Sequence, residues 1–202
     1  MVDFHDYLEA AYRFHGHKCP AMPLGLRAAA VAMNRLGVER TGDKDLVALV
    51  ELGDGHFATC YSDGIQMMTG CTAGKCTLRI LDFGKWGLTL VDRRGGRAVR
   101  VVPRAENQLR LMQTDFFRNY RMKGVPATKV PAEVVEPLVK NVLKAADEQL
   151  FVIGEVGDYD YKMPPHVFSA FPCEECGELV VEPYGRVKDG KKVCIPCAGG
   201  NR

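Results

Sequence analysis

The sequence predicts an α+β fold: one larger body and a small metal-bound appendage. Three observations carry this. Helical and strand periodicities succeed one another in mixed order over residues 1–156, which places helices against a sheet. Eight cysteines occur in 202 residues. They fall into two sets, Cys19, Cys60, Cys71 and Cys76 in the first half and Cys173, Cys176, Cys194 and Cys197 near the end.

The composition bounds the rest. An apolar fraction of 47% and a charged fraction of 26% are those of a globular protein. A net charge of +2 gives no general attraction to nucleic acid or an anionic membrane. No apolar run approaches the roughly 18 residues that span a bilayer. Residues 1–14 are amphipathic, with Asp3, Asp6 and Glu9, and so are not a signal peptide. Cysteines without a secretory signal point to metal or redox work in a reducing compartment, hence a cytoplasmic location.

Taken in order, Phe4, Tyr7, Leu8, Ala11 and Tyr12 share one helical face, with Asp3 as N-cap. A second, alanine-rich helix spans 23–36 and stops at Gly37. Residues 46–52 form a short, apolar, buried strand. Ser62 or Asp63 caps a short helix carrying Ile65, Gln66, Met67 and Met68, with Cys60 just before it. Three strands follow at 77–82, 86–92 and 97–102, the last two joined by a turn at Arg93-Arg94-Gly95-Gly96. From Arg79 to Arg110 eight Lys/Arg stand against three Asp/Glu, a solvated face or a local seat for an anion or acidic partner. A helix from Pro103 places Leu109, Met112, Phe116 and Tyr120 on one face. Another over 131–149 carries Val134, Leu138 and Val142, and 150–156 is the fifth strand. Residues 157–171 lack periodicity and mark the boundary, so the expected domains are 1–160 and 161–202.

The loop His15-Gly-His17-Lys-Cys19-Pro20 sets two imidazoles and a thiol within five residues. These are the ligands a borderline-soft cation prefers. Cys19 and Cys60 each lie at a helix start, where the unpaired N–H groups favour thiolate. Three arrangements compete. His17, Cys19 and Cys60 hold zinc or another transition metal, with His15 or Cys71 as a further ligand and an open position for water or substrate. Alternatively, the four dispersed cysteines hold an iron–sulfur cluster, although their spacing matches neither common ferredoxin run. In the third, Cys19 is a redox thiol, against which Met22 occupies the place of the second cysteine. Against all three stands the reading of inert core thiols.

Cys173-x-x-Cys176 and Cys194-x-x-Cys197 form two knuckles that close a tetrahedral Cys₄ zinc site. Between them, 179–181 and 185–193 alternate around an Asp189-Gly190 turn. About 30 residues bury too little to fold alone, so the metal supplies the stability. From Cys173 onward five basic residues (Arg186, Lys188, Lys191, Lys192, Arg202) balance five acidic ones, a poor footprint for nucleic acid.

His15-Gly-His-Lys-Cys-Pro20 with Leu24-Gly25, and Cys60-x-x-Asp63-x-Ile65-Gln66 with Thr69-Gly70-Cys71-Thr72-x-Gly74, resemble the paired motifs of the FmdE family, named for a subunit of formylmethanofuran dehydrogenase. The Cys₄ tail resembles the treble-clef-like finger some members append. The resemblance spans about residues 5–155 and implies a thioredoxin-like core with a five-stranded mixed sheet. It also implies a metal-binding active site at His17, Cys19 and Cys60. Cys76 departs from it, standing where glycine is expected after Gly74-Lys75. The chain is too short to house a molybdopterin, so an accessory subunit in one-carbon, methanogenesis-type metabolism is implied, not the catalytic one. Asp63 would orient a ligand or act as base. Expected partners are an oxidoreductase complex, a second copy in a homodimer and a small-molecule ligand. The alternative is a non-enzymatic metal-handling or docking adaptor.

Overall fold

A computed structural model describes residues 1–200; Arg202, one of the finger's basic residues, lies outside them. The chain divides into two compact units, Met1–Tyr161 and the stretch from Lys162 onward.

The first unit is built on a mixed sheet. Its strands are β1 (Leu46–Val50), β2 (Leu78–Ile80), β3 (Leu88–Asp92), β4 (Arg97–Pro103), β5 (Phe151–Ile153) and β6 (Gly157–Asp158). The order is β2-β1-β3-β4-β5, and β6 pairs with the start of β4. Only β1 and β2 run parallel; the other pairs are antiparallel. The sequence indicates five of these six strands. The two-residue β6 falls inside the expected boundary segment, too short to show a period.

β1 is apolar throughout and buried at every position, as a central strand covered on both faces must be. Over the sheet lies α2 (Ala21–Leu36), buried without a break from Ala21 to Met33. Its alanines let neighbours approach closely, and a helix apolar all round belongs inside. Against it pack α1 (His5–His15) and α3 (Cys60–Thr69). The N-terminal caps differ from expectation. Asp3 accepts the His5 N–H at 2.9 Å rather than capping a full turn, and α3 opens on Cys60 itself, which leaves Asp63 free for another task.

Two expected helices are broken, each for a local reason. α4 (Ala105–Met112) ends before a π-helical turn at Phe116–Tyr120. The Thr114 hydroxyl donates to the Leu111 carbonyl at 2.6 Å and competes with the helix there. Leu109, expected on the apolar face, is exposed. α5 (Ala132–Lys144) stops short of the short helix α6 (Asp147–Leu150). Buried Arg27 donates to the carbonyls of Val142 and Ala145 at 2.6 Å each and pairs with Asp147, ending α5 with a cation where the helix dipole is negative. The buried stripe of α5 is Val135, Val139 and Val142, not Val134 and Leu138. Among the described residues no helix is long and apolar enough to cross a membrane.

The second unit holds two hairpins. β7 (Ala170–Pro172) pairs with β8 (Leu179–Val181) across the first knuckle, and β9 (Gly185–Lys188) with β10 (Lys191–Cys194) across Asp189-Gly190. Both turn residues have positive φ, 50° and 76°, as a tight hairpin requires. The sequence offers β8 to the Asp-Gly hairpin, whereas its partner is β7. Cys173, Val180 and Val193 make up this unit's buried apolar cluster, too small to hold a fold by burial alone.

Candidate metal centre

α1 ends on His15 because Gly16 turns left-handed, φ 85°, and its N–H closes onto the Tyr12 carbonyl at 2.8 Å. His15 is thus fixed to a rigid helix end. His17 and Cys19 follow in the short link to α2.

Cys60 arrives by a different route. α2 and α3 lie backbone against backbone: a Cβ at Gly25 would run into the Tyr61 carbonyl oxygen, and one at Gly64 into the Met22 carbonyl and the Leu26 amide. Only glycine permits that approach. It draws the starts of the two helices together, and Cys19 and Cys60 with them.

His15, His17, Cys19 and Cys60 thereby form one cluster whose ligand atoms all lie within 4.8 Å of one another. His15 Nδ1 donates to Asp63 Oδ2 at 2.8 Å, which orients the ring and turns Nε2 toward Cys19 Sγ, 3.5 Å away. The two imidazoles lie with centroids 4.1 Å apart. His17 Nε2 is buried and has no hydrogen-bond partner among the described residues.

The two thiols titrate as a pair. The hydrogen bond from Cys19, then His15, lowers Cys60 to about 4. The same bond and burial hold Cys19 protonated well above the ordinary thiol range, against the pull of the Ala21 and Met22 N–H groups. Asp63, foremost, raises His15 to about 9. One thiolate and one thiol thus share a proton that a cation would displace.

The residues fit a borderline-soft divalent ion. Zinc–nitrogen and zinc–sulfur bonds of about 2.0–2.3 Å set tetrahedral ligand atoms roughly 3.3–3.8 Å apart. Atoms already within 4.8 Å need a small closing movement. His17 Nε2, buried with no hydrogen-bond partner among the described residues, offers such an ion a nitrogen not engaged elsewhere. Asp63 completes the carboxylate–histidine arrangement typical of metal ligands.

The other two cysteines stand apart. Cys71 is buried with its thiol donating to the Leu46 carbonyl at 3.4 Å, and burial raises its pKa. Cys76 is exposed, with φ 57°. That left-handed backbone accounts for the glycine expected at this position. A four-cysteine iron–sulfur site from these residues is therefore not assembled: Cys71 and Cys76 fall outside the cluster formed by Cys19 and Cys60.

In the second unit Cys173, Cys176, Cys194 and Cys197 also lie within 4.8 Å of one another. The Cys194 N–H donates to Cys173 Sγ at 3.3 Å and the Cys197 N–H to Cys194 Sγ at 3.4 Å, the backbone arrangement of knuckles that face one ion. Backbone N–H groups, that of Cys176 first, lower Cys173 to about 6.

Residues 14–152 match the family model described as FmdE, molybdenum formylmethanofuran dehydrogenase operon. The chain belongs to the FmdE family. Residues 168–201 match the prokaryotic dksA/traR C4-type zinc finger. The FmdE match takes in every residue of the core cluster, and the finger match all four C-terminal cysteines. A protein of Archaeoglobus fulgidus, named Probable S-adenosyl-L-methionine-binding protein, is 34% identical over 202 residues, covering 94% of this chain and 51% of its own length. The chain thus spans about half of that relative. The crystal structure of a tungsten formylmethanofuran dehydrogenase FmdE-like protein from Syntrophus aciditrophicus superposes with a TM-score of 0.64 at 20% identity, covering 98% of this chain and 93% of that one. That likeness shows an FmdE-like fold.

Proposed function

We propose that this chain is a metal-holding accessory protein. His17, Cys19 and Cys60 hold a zinc-type cation in the core, with His15 as fourth ligand and Asp63 orienting it, while the finger holds a structural zinc. The observation that carries this reading is the buried His17 Nε2, without a hydrogen-bond partner among the described residues, beside two converging thiols.

With one coordination position open, a cation here would polarise a carbonyl or acidify a water. His15 Nε2 reaches toward that position, so four protein atoms can close the shell, which favours holding an ion over turning over a substrate. Asp63 keeps His15 in place; a reaction centre would require His15 to stand aside. The family name and the Syntrophus neighbour support a setting in one-carbon metabolism beside a formylmethanofuran-type oxidoreductase. The finger, with Leu179, Tyr184 and Val187 exposed, would serve as a docking element there. S-adenosyl-L-methionine enters as a candidate ligand only by the Archaeoglobus relative's name, and half of that protein lies outside the match.

Elemental analysis of anaerobically purified protein tests the reading. Two zinc equivalents per chain are expected, falling to one in Cys19→Ser with the finger intact. Two equivalents retained in that variant would end it. Equilibrium dialysis with S-adenosyl-L-methionine decides the ligand separately.

A further inference from the structure

The two thiols of the core cluster differ in their access to water. Cys60 opens α3 and is half-buried, whereas Cys19 is 3% exposed. Asp63, three residues beyond Cys60, keeps 40% of its side chain exposed, so solvent reaches this turn of α3. The two sulfurs lie within 4.8 Å of each other. Less than about 3 Å therefore separates them from the ~2.05 Å of a disulfide, a span within reach of two side-chain rotations. Gly25 and Gly64 hold the two helix starts together while the side chains turn. Cys71, bonded to the Leu46 carbonyl, and Cys76 fall outside the cluster and offer no competing partner there. An accessible thiol with a second thiol beside it, able to capture the first oxidation product, is the arrangement of redox-sensing cysteines.

We infer that Cys60 and Cys19 form a peroxide-sensitive pair whose disulfide ejects the core cation. This rests on the metal-holding reading and adds a regulation to it. The Cys60 sulfur attacks one oxygen of hydrogen peroxide; the O–O bond breaks, and the departing hydroxide takes up a proton and leaves as water. The Cys19 sulfur then attacks the sulfur of the Cys60 sulfenic acid; the S–O bond breaks and a second water leaves in the same way. Two thiolates, one peroxide and two protons from solvent thus become one disulfide and two waters, the sulfurs giving up two electrons in all. A disulfide offers the cation no thiolate, so only His15 and His17 remain and the ion departs. A dithiol reductant, itself oxidised to a disulfide, restores both ligands.

The zinc-loaded full chain is treated anaerobically with hydrogen peroxide, its zinc counted before and after, and its thiols alkylated before tryptic mass mapping. Peptide 19–27, which holds Cys19, is expected joined to peptide 45–75 through Cys60, with Cys71 alkylated, and one of two zinc equivalents is expected lost. Dithiothreitol with added zinc should restore the second equivalent. In Cys19→Ser, Cys60 should stop at the sulfenic acid and be trapped by dimedone; in Cys60→Ser, buried Cys19 should stay reduced under the same treatment. Zinc lost through finger disulfides with Cys19 and Cys60 both alkylated, the joined peptides with two equivalents retained, or a loss that dithiothreitol does not reverse would each overturn the inference. Untreated protein with a single equivalent would end the metal-holding reading instead, and the peptide map would then decide the thiol pair by itself.

Discussion

Gly64→Ala tests why two cysteines so far apart in sequence meet. A Cβ at this position lies 3.0 Å from the Gly25 carbonyl carbon and closer still to the Met22 oxygen and Leu26 nitrogen, where ordinary contact begins at 3.4 Å. All three are backbone atoms of α2, a helix buried along almost its whole length, so none can swing aside. α2 and α3 must therefore part by on the order of 1 Å. Alanine's helix propensity works the other way by about 1 kcal/mol. Overpacking costs about 1–3 kcal/mol, so the clash prevails and the net loss is up to about 2 kcal/mol. At roughly 2–4 °C per kcal/mol for a chain of this size, Tm falls by up to about 8 °C. A separation of about 1 Å also exceeds the ~0.2 Å tolerance of metal–ligand bonds, so the core centre loses its ion while the finger keeps its own. Differential scanning fluorimetry and elemental analysis read both effects. Gly74→Ala, whose Cβ would meet nothing within 4 Å, is the control. A Gly64→Ala protein that melts with the wild type and retains two metal equivalents would refute the reasoning.

Three further outcomes are expected. Asp63→Asn removes the carboxylate that seats His15 and should lower core metal affinity about 10–100-fold in competition with a chelator; unchanged affinity would remove Asp63 from the centre. Cys76→Gly relieves a left-handed φ of 57° and should raise stability by about 1 kcal/mol in urea melts, whereas a loss would mean that the thiol has a role the fold does not reveal. Arg100 grips Glu51 at 2.6 and 2.7 Å and holds its carboxyl below the ordinary value of 4.5. The folded state therefore binds fewer protons, and the stabilisation is complete above the unfolded pKa and lost as pH falls through the lower folded one. The wild-type urea midpoint should drop more steeply between about pH 5 and pH 3 than that of Glu51→Gln, and parallel curves would contradict this.

Much of the first unit is legible because periodicity reports burial directly. The apolar run of β1 and the alanine-rich α2 each state their surroundings in their own residues. The finger is legible for a similar reason, since each knuckle is local. What the sequence conceals depends on distant partners. The end of α5 is set by Arg27, whose guanidinium arrives from α2. β6 and β7 are too short to show a period and exist only through β4 and β8. Ligand composition and family resemblance point to His17, Cys19 and Cys60. His15 stays an open alternative to Cys71 in the sequence because its orientation is decided by Asp63, 48 residues on.

Anomalous diffraction across the zinc edge from crystals of anaerobically purified protein tests the central claim most directly. Two scatterers per chain are expected, one among the finger sulfurs and one about 2.3 Å from both Cys19 and Cys60 Sγ and about 2.0–2.1 Å from imidazole nitrogen. A single scatterer in the finger, with Cys19 and Cys60 bonded to each other or buried apart, would contradict it.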